Sequence, residues 1–187
     1  MTLISDYRTI KDLKIGVLGY GDIGKELCKN LKYFGAQVYA YKKTFLEEIL
    51  VDKIIYDENF DDILDVDYLI NTLPSTPQTK FLLTKEIWSK LKKPCVFINV
   101  GRGNISREED LVEALKKNYV SKAILDVFEK EPLDPSSELW TLKNVIITPH
   151  VSARTFAQDI SQLFLDNLNL FQQGKELLYK VDFNKGY

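Results

Sequence analysis

The chain is poor in the residues that carry most metal and redox chemistry. Its 187 residues include one histidine, two cysteines and one methionine. Cys28 and Cys95 stand far apart and make neither a disulfide framework nor a metal-ligand spacing, so no metal is expected. They read as buried free thiols of a reducing cytoplasm. Long apolar runs are missing too. None approaches the ~18 residues of a membrane span, and no N-terminal stretch reads as a signal peptide. Neither sign of charge is in excess: 25 Lys and Arg stand against 27 Asp and Glu, a net charge of −2. That balance argues against nucleic acid or a bilayer surface as the main partner. Repeats, low-complexity stretches and linkers are absent as well. Phe, Tyr, Leu, Ile and Val are plentiful, which argues against disorder. Asn104-Ile105-Ser106 matches a glycosylation sequon, read as accidental without a secretory signal.

What is present begins at Gly19. The run Ile15-Gly16-Val17-Leu18 leads directly into Gly19-Tyr20-Gly21-Asp22-Ile23-Gly24, a strand followed by a glycine-rich turn and a helix. That order is the phosphate-binding entry of a dinucleotide domain. Gly19 permits the tight turn, Gly21 lets the backbone approach a pyrophosphate, and Gly24 lets the helix pack close to the strand. Alone the pattern is weak, since a plain strand–helix turn also uses glycine. Here Leu27, Leu31 and Phe34 give the helix an apolar face, and Gly35 is a natural C-cap. The turn lies so near Met1 that no domain of ~50 residues fits before it.

Strand-like runs alternate with helical patterns along the rest of the chain. Strands are expected at Lys14–Leu18, Gln37–Tyr41, Lys53–Ile55, Val66–Thr72, Cys95–Val100, Lys122–Val127 and Asn144–Thr148. Several are continuous apolar runs, as in parallel strands covered on both faces. Helices fit Asp22–Phe34, a stretch near Phe60–Leu64, Lys85–Leu91, Arg107–Lys117 and Arg154–Gln172. Ser106 with Glu109 matches a capping box, and the last helix gathers Phe156, Ile160, Leu163, Phe164, Leu168 and Phe171 on one stripe. The pattern predicts an α/β fold: a Rossmann-type, doubly wound parallel sheet in a single dinucleotide-binding domain over residues 1–187.

In such sheets ligands lie beyond the carboxyl ends of the strands. There the sequence places the glycine turn, Lys42-Lys43-Thr44, the loop Leu73 to Thr79, Gly101-Arg102-Gly103, Asp126 with Glu129 and Glu131, and Pro149-His150. His150 suits proton transfer near neutral pH, although an isolated histidine reads equally as a surface or helix-capping residue. Arg102, between two glycines, is either a loop arginine in solvent or a guanidinium that reaches into a cleft. Glu131 fits a surface turn as readily as a site, and Asp126 fits a helix cap.

Four segments resolve these alternatives: Asn71–Leu83 (NTLPSTPQTKFLL), Phe97–Leu115 (FINVGRGNISREEDLVEAL), Ala123–Pro132 (AILDVFEKEP) and Asn144–Ser152 (NVIITPHVS). In this order they resemble the cofactor domain of the D-2-hydroxyacid dehydrogenases, a family that includes phosphoglycerate, glyoxylate, lactate and formate dehydrogenases. The likeness runs from about Tyr7 to the C-terminal tail. It implies hydride transfer between a nicotinamide and a small 2-oxo or 2-hydroxy acid. By resemblance, Arg102 binds the substrate carboxylate, His150 is the acid/base, and Glu131 bonds to His150 and favours its charged form. Asp126 would hold the nicotinamide carboxamide. Leu73, Pro74, Thr79, Val100, Gly101 and Ser152 would line the cofactor alongside Gly19, Gly21, Asp22, Ile23 and Gly24.

Two departures from the family pattern matter. Lys42 follows the second strand where NAD-binding members usually carry an acid that accepts from the ribose. Lysine pairs instead with a 2′-phosphate, so NADP(H) is favoured, with NAD(H) the alternative. Second, family enzymes carry a substrate domain before the glycine turn, and here only Met1–Leu13 precede the strand. The substrate domain would then stand on a removed segment or on a separate polypeptide, and a homodimer is expected because members of the family that the chain resembles commonly dimerise through the cofactor domain. The rival reading is a dimeric nucleotide-binding module, or a remnant, without turnover.

Overall fold

The computed structural model describes residues 8–45, 50–153 and 156–183. The chain falls into two compact units that divide at the Pro149–His150 bond, and each is described by itself.

The first unit is built on one seven-stranded sheet: β1 Lys14–Leu18, β2 Gln37–Tyr41, β3 Lys53–Ile55, β4 Tyr68–Asn71, β5 Cys95–Asn99, β6 Val120–Leu125 and β7 Val145–Ile147. Every pairing is parallel, in the order β3-β2-β1-β4-β5-β6-β7. The order reverses direction between β1 and β4, the doubly wound topology expected from the alternating pattern. Three helices cross between strands: α1 Asp22–Tyr33, α2 Lys85–Ser89 and α3 Glu108–Lys116. The Phe60–Leu64 pattern is realised as a tighter 3-10 segment, Asp57–Leu64.

Both faces of β1 and β4 are buried, which explains their continuous apolar runs, whereas β5, β6 and β7 alternate between more and less buried positions and Ile146 of β7 is 48 % exposed. On one face Ile15, Val17, Val38 and Ala40 pack with Cys28 of α1. On the other, Leu69 and Phe97 pack with Ile63, Trp88, Leu111 and Leu115. The Trp88 and Phe97 rings meet edge to face at 5.0 Å. Burial pushes both thiols up to about 12, so Cys28 and Cys95 are inert at neutral pH.

The capping box expected from Ser106 and Glu109 does not form. Arg107 is the N-cap of α3 and makes no side-chain capping bond. Ser106 is buried instead. Its hydroxyl donates to the Leu83 carbonyl at 2.7 Å and accepts from Trp88 Nε1 at 3.0 Å. A buried indole N–H left unpaired costs more than one exposed helix-end amide, so the tertiary contact takes the hydroxyl.

At the amino edge of the sheet Asp67 ties three segments. It accepts two bonds from Arg8, at 2.8 and 3.0 Å, one from the Lys14 amide at 2.8 Å and one from Lys93 at 2.8 Å. Burial opposes the Asp67 charge, but these donors hold its carboxyl well below the usual carboxylate range.

The second unit contains α4, Ala157–Gln172, followed by Gly174 in the left-handed region (φ 65°). The expected helix start at Arg154 lies outside the described residues. Asn167 pins the turn after α4 by accepting from the Leu178 amide at 2.7 Å. The predicted apolar stripe is exposed, with Phe164 at 64 % and Phe171 at 71 %, except for the half-buried Leu163.

Candidate functional site

The reversal between β1 and β4 opens the sheet at their carboxyl ends, where the glycine turn and the Leu73 loop emerge side by side. Gly19 adopts φ +101°, a conformation L side chains rarely take. A Cβ on Gly24 would lie 1.9 Å from the Gly19 carbonyl oxygen, so α1 abuts the turn. A Cβ on Gly21 would meet nothing within 4 Å. The three glycines thus differ in their surroundings: Gly19 turns the chain, Gly24 packs against the turn, and Gly21 faces open space. Gly21 is also the N-cap of α1 and makes no side-chain bond there. The first-turn amides, next to Asp22 and Ile23, are placed for phosphate oxygens. A dinucleotide therefore fits this cradle.

Lys42 follows β2 on the other side of the turn. Its ammonium donates to the Tyr20 carbonyl at 3.3 Å, which fixes it beside the glycine turn rather than free in solvent. Partial burial and then the Lys25 ammonium hold its pKa below the ordinary lysine range, with Asp22 opposing. An anion placed between two lysines would relieve that cost.

The loop after β4 is folded on itself. Thr79 Oγ1 donates to the Pro74 carbonyl at 2.6 Å, and the Thr76 amide donates to Thr79 Oγ1 at 2.9 Å. Thr72, overlooked in the sequence, donates to the carbonyls of Leu18 and Gly19 at 3.1 Å each, which holds the turn to the sheet. A hydroxyl ending an apolar strand was the available signal. Next in order come Val100 and Gly101 after β5. A Cβ on Gly101 would lie 2.7 Å from the Leu73 carbonyl oxygen, so the two loops are in contact.

Arg102 is exposed, and its Nη1 donates to the Gly101 carbonyl at 2.7 Å. The next glycine closes the loop against the β6 loop: a Cβ on Gly103 would lie 1.8 Å from the Phe128 carbonyl carbon. In that neighbouring loop Asp126, 2 % exposed, accepts from Thr148 Oγ1 at 2.5 Å. Glu131 accepts from the Phe128 amide at 3.0 Å, which fastens the turn that carries it. The first unit thus brings together the glycine turn, Lys42, Leu73, Pro74, Thr79, Val100, Gly101, Arg102, Asp126 and Glu131 along one sheet edge. His150 and Ser152 belong to the second unit. His150 is exposed with a left-handed backbone, φ 52°.

Among the described residues no cluster of His, Cys, Asp and Glu is arranged to hold a metal ion, and no helix is long and apolar enough to cross a membrane.

Comparison with known proteins agrees with this geometry. Glyoxylate/hydroxypyruvate reductase A of Photorhabdus laumondii is 33 % identical over 178 residues, covering 95 % of this chain and 57 % of the relative. Glyoxylate reductase of Pyrococcus horikoshii is 33 % identical over 164 residues, covering 86 % and 49 %. The chain therefore spans about half the length of these curated relatives. A D-isomer specific 2-hydroxyacid dehydrogenase of Xanthobacter autotrophicus, solved with NADPH and MES, superposes with a TM-score of 0.91 at 32 % identity, covering 96 % of this chain and 75 % of that one. An NADPH-dependent glyoxylate/hydroxypyruvate reductase of Sinorhizobium meliloti, solved with NADP and sulfate, gives 0.90 at 29 % identity, covering 97 % and 59 %. The profile described as "D-isomer specific 2-hydroxyacid dehydrogenase, NAD binding domain" matches residues 4–152. The chain belongs to the D-isomer specific 2-hydroxyacid dehydrogenase family, of which it carries the NAD-binding domain.

Proposed function

We propose that this chain supplies the cofactor site and the acid–base residues of an NADP(H)-favouring reductase of small 2-oxo acids, with NAD(H) as the second cofactor. The observation that carries this reading is the edge-to-edge packing of the glycine turn, the Leu73 loop and the Arg102 loop, with Lys42 anchored on Tyr20 where an acid would select NAD. The relatives named as glyoxylate and hydroxypyruvate reductases, and the neighbours solved with NADPH or NADP, support it.

When bound, the nicotinamide supplies or takes the hydride. The glycine turn, with Asp22 and Ile23, would hold the pyrophosphate through backbone donors. Lys42 would pair with the 2′-phosphate. Asp126 would hold the carboxamide, and Leu73, Pro74, Thr79, Val100, Gly101 and Ser152 would line the nicotinamide side. Hydride arrival at a 2-oxo carbon leaves an alkoxide, so the reaction needs a cation and a proton donor. Arg102 binds the substrate carboxylate and polarises the carbonyl. His150 gives the proton in reduction and removes it in oxidation, with Glu131 the carboxylate that the family resemblance assigns to the same task. The assembly is a homodimer in a reducing cytoplasm, where Cys28 and Cys95 stay thiols.

The test is a fluorescence titration with NADPH and NADH, followed by an absorbance assay on glyoxylate, hydroxypyruvate and pyruvate. NADPH is expected to bind more tightly, and His150→Gln to abolish turnover. Tighter NADH binding refutes the cofactor assignment. Full activity in His150→Gln refutes the proton donor. Solution mass reports the dimer.

A further inference from the structure

Two buried amides lie under the site without facing it. Asn71 ends β4 and Asn99 ends β5, and they are direct partners in the parallel register. Their relative exposures are 0 % and 3 %. Burying two amides at the end of apolar strands is costly unless every polar atom is used, and here both atoms of each amide are used. Asn71 Oδ1 accepts from the Leu73 amide at 3.1 Å, and Asn71 Nδ2 donates to Asn99 Oδ1 at 2.9 Å. The same Asn99 oxygen accepts from the Gly101 amide at 3.2 Å. Asn99 Nδ2 donates to the Arg102 carbonyl at 3.2 Å.

The four bonds form one continuous path from the first residue of the cofactor loop to the backbone of the arginine. We infer that Asn71 and Asn99 act as a paired positioning device that locks the Leu73 loop and the Gly101–Arg102 loop into one rigid unit, so that the nicotinamide wall and the carboxylate-binding guanidinium are set together. The inference rests on the proposed roles of those two loops. Neither residue is a catalytic residue, because neither side chain faces the open crevice. Only an amide serves at these positions. A carboxylate at Asn99 offers no donor to the Arg102 carbonyl, and an aliphatic side chain strands the Leu73 and Gly101 amides. The direct contact of Gly101 with the Leu73 carbonyl leaves no slack between the loops, so movement at one end is felt at the other.

The device predicts effects at a distance. Asn99 bonds directly to the Gly101 amide but not to that of Leu73, and Asn71 to the Leu73 amide but not to that of Gly101, so Asn99→Ala and Asn71→Ala each remove the direct bond to one amide only. Amide hydrogen exchange read by NMR on the full chain separates a coupled pair from two independent turns. In the coupled case each variant deprotects both amides, and NADPH affinity falls by about tenfold in each. The double variant is expected to lose no more affinity than the worse single one. Asn99→Ser and Asn71→Ser, which leave a small hydroxyl in the cavity but too short to span the pair, serve where the alanine variants do not fold. Deprotection confined to the directly bonded amide, with NADPH affinity unchanged, overturns the inference. Wild-type protein that does not bind NADPH overturns the proposed cofactor site instead, and the exchange pattern then decides the pair alone.

Discussion

The sharpest consequence of the glycine geometry is a dissociation between stability and binding. Gly24→Ala places a methyl 1.9 Å from the Gly19 carbonyl oxygen and 3.2 Å from Thr72 Oγ1. The contact is with backbone, so the start of α1 must retreat by more than ~1 Å. Overpacking of this kind costs ~1–3 kcal/mol, which in a domain of this size lowers the melting temperature by about 3–9 °C. Gly21→Ala places its methyl in open space. Gly21 has an ordinary extended backbone (φ −85°, ψ −163°) that alanine also adopts. Loss of a good N-cap costs ~0.5–1 kcal/mol. A less flexible unfolded chain returns ~0.4–1 kcal/mol, so the melting temperature should move by no more than about 2 °C. Binding reverses the order of severity. On the proposed cofactor assignment, the Gly21 methyl occupies the space through which a pyrophosphate would reach the first amides of α1. Loss of one charge-assisted bond costs ~1.5–3 kcal/mol, or about 10- to 100-fold in affinity. Thermal unfolding and NADPH titration of the two variants measure both quantities. A Gly21→Ala protein that binds NADPH like wild type refutes the phosphate site, and a Gly24→Ala protein that melts like wild type refutes the packing argument.

Lys42→Ala is expected to weaken NADPH by about tenfold while leaving NADH within about twofold, read as the ratio of the two dissociation constants. Ser106→Ala should cost ~1–3 kcal/mol in denaturant unfolding because it strands the buried Trp88 indole N–H, whereas Glu109→Ala should stay within ~0.5 kcal/mol since no capping box forms. The Asp67 carboxyl has a lowered pKa, so its contribution is complete above the ordinary carboxylate pKa of ~4 and is lost as pH falls below it. Asp67→Asn should remove ~2 kcal/mol at pH 7, and progressively less than that below pH ~4, in chemical denaturation at a series of pH values.

What the sequence makes legible follows from how local each signal is. The glycine turn, the strand ends and the parallel sheet rest on spacing within a few residues and on runs of apolar side chains, and the structure returns them with boundaries moved by a residue or two. Ser106 shows where that stops. Its local pattern satisfies a capping rule, yet Trp88, eighteen residues earlier, competes for the same oxygen and wins because its donor is buried. Asn71 and Asn99 are illegible for the same reason. Each reads as a polar interruption at the end of an apolar run, and only the register of β4 against β5 turns two interruptions into one connected path. The stripe on α4 marks the opposite limit: periodicity identifies an apolar face without naming what covers it. Chemistry carried by one residue type at one strand end is therefore readable from the chain. Chemistry that depends on which strand lies beside which is not, and in this fold the positioning of the proposed arginine belongs to the second kind.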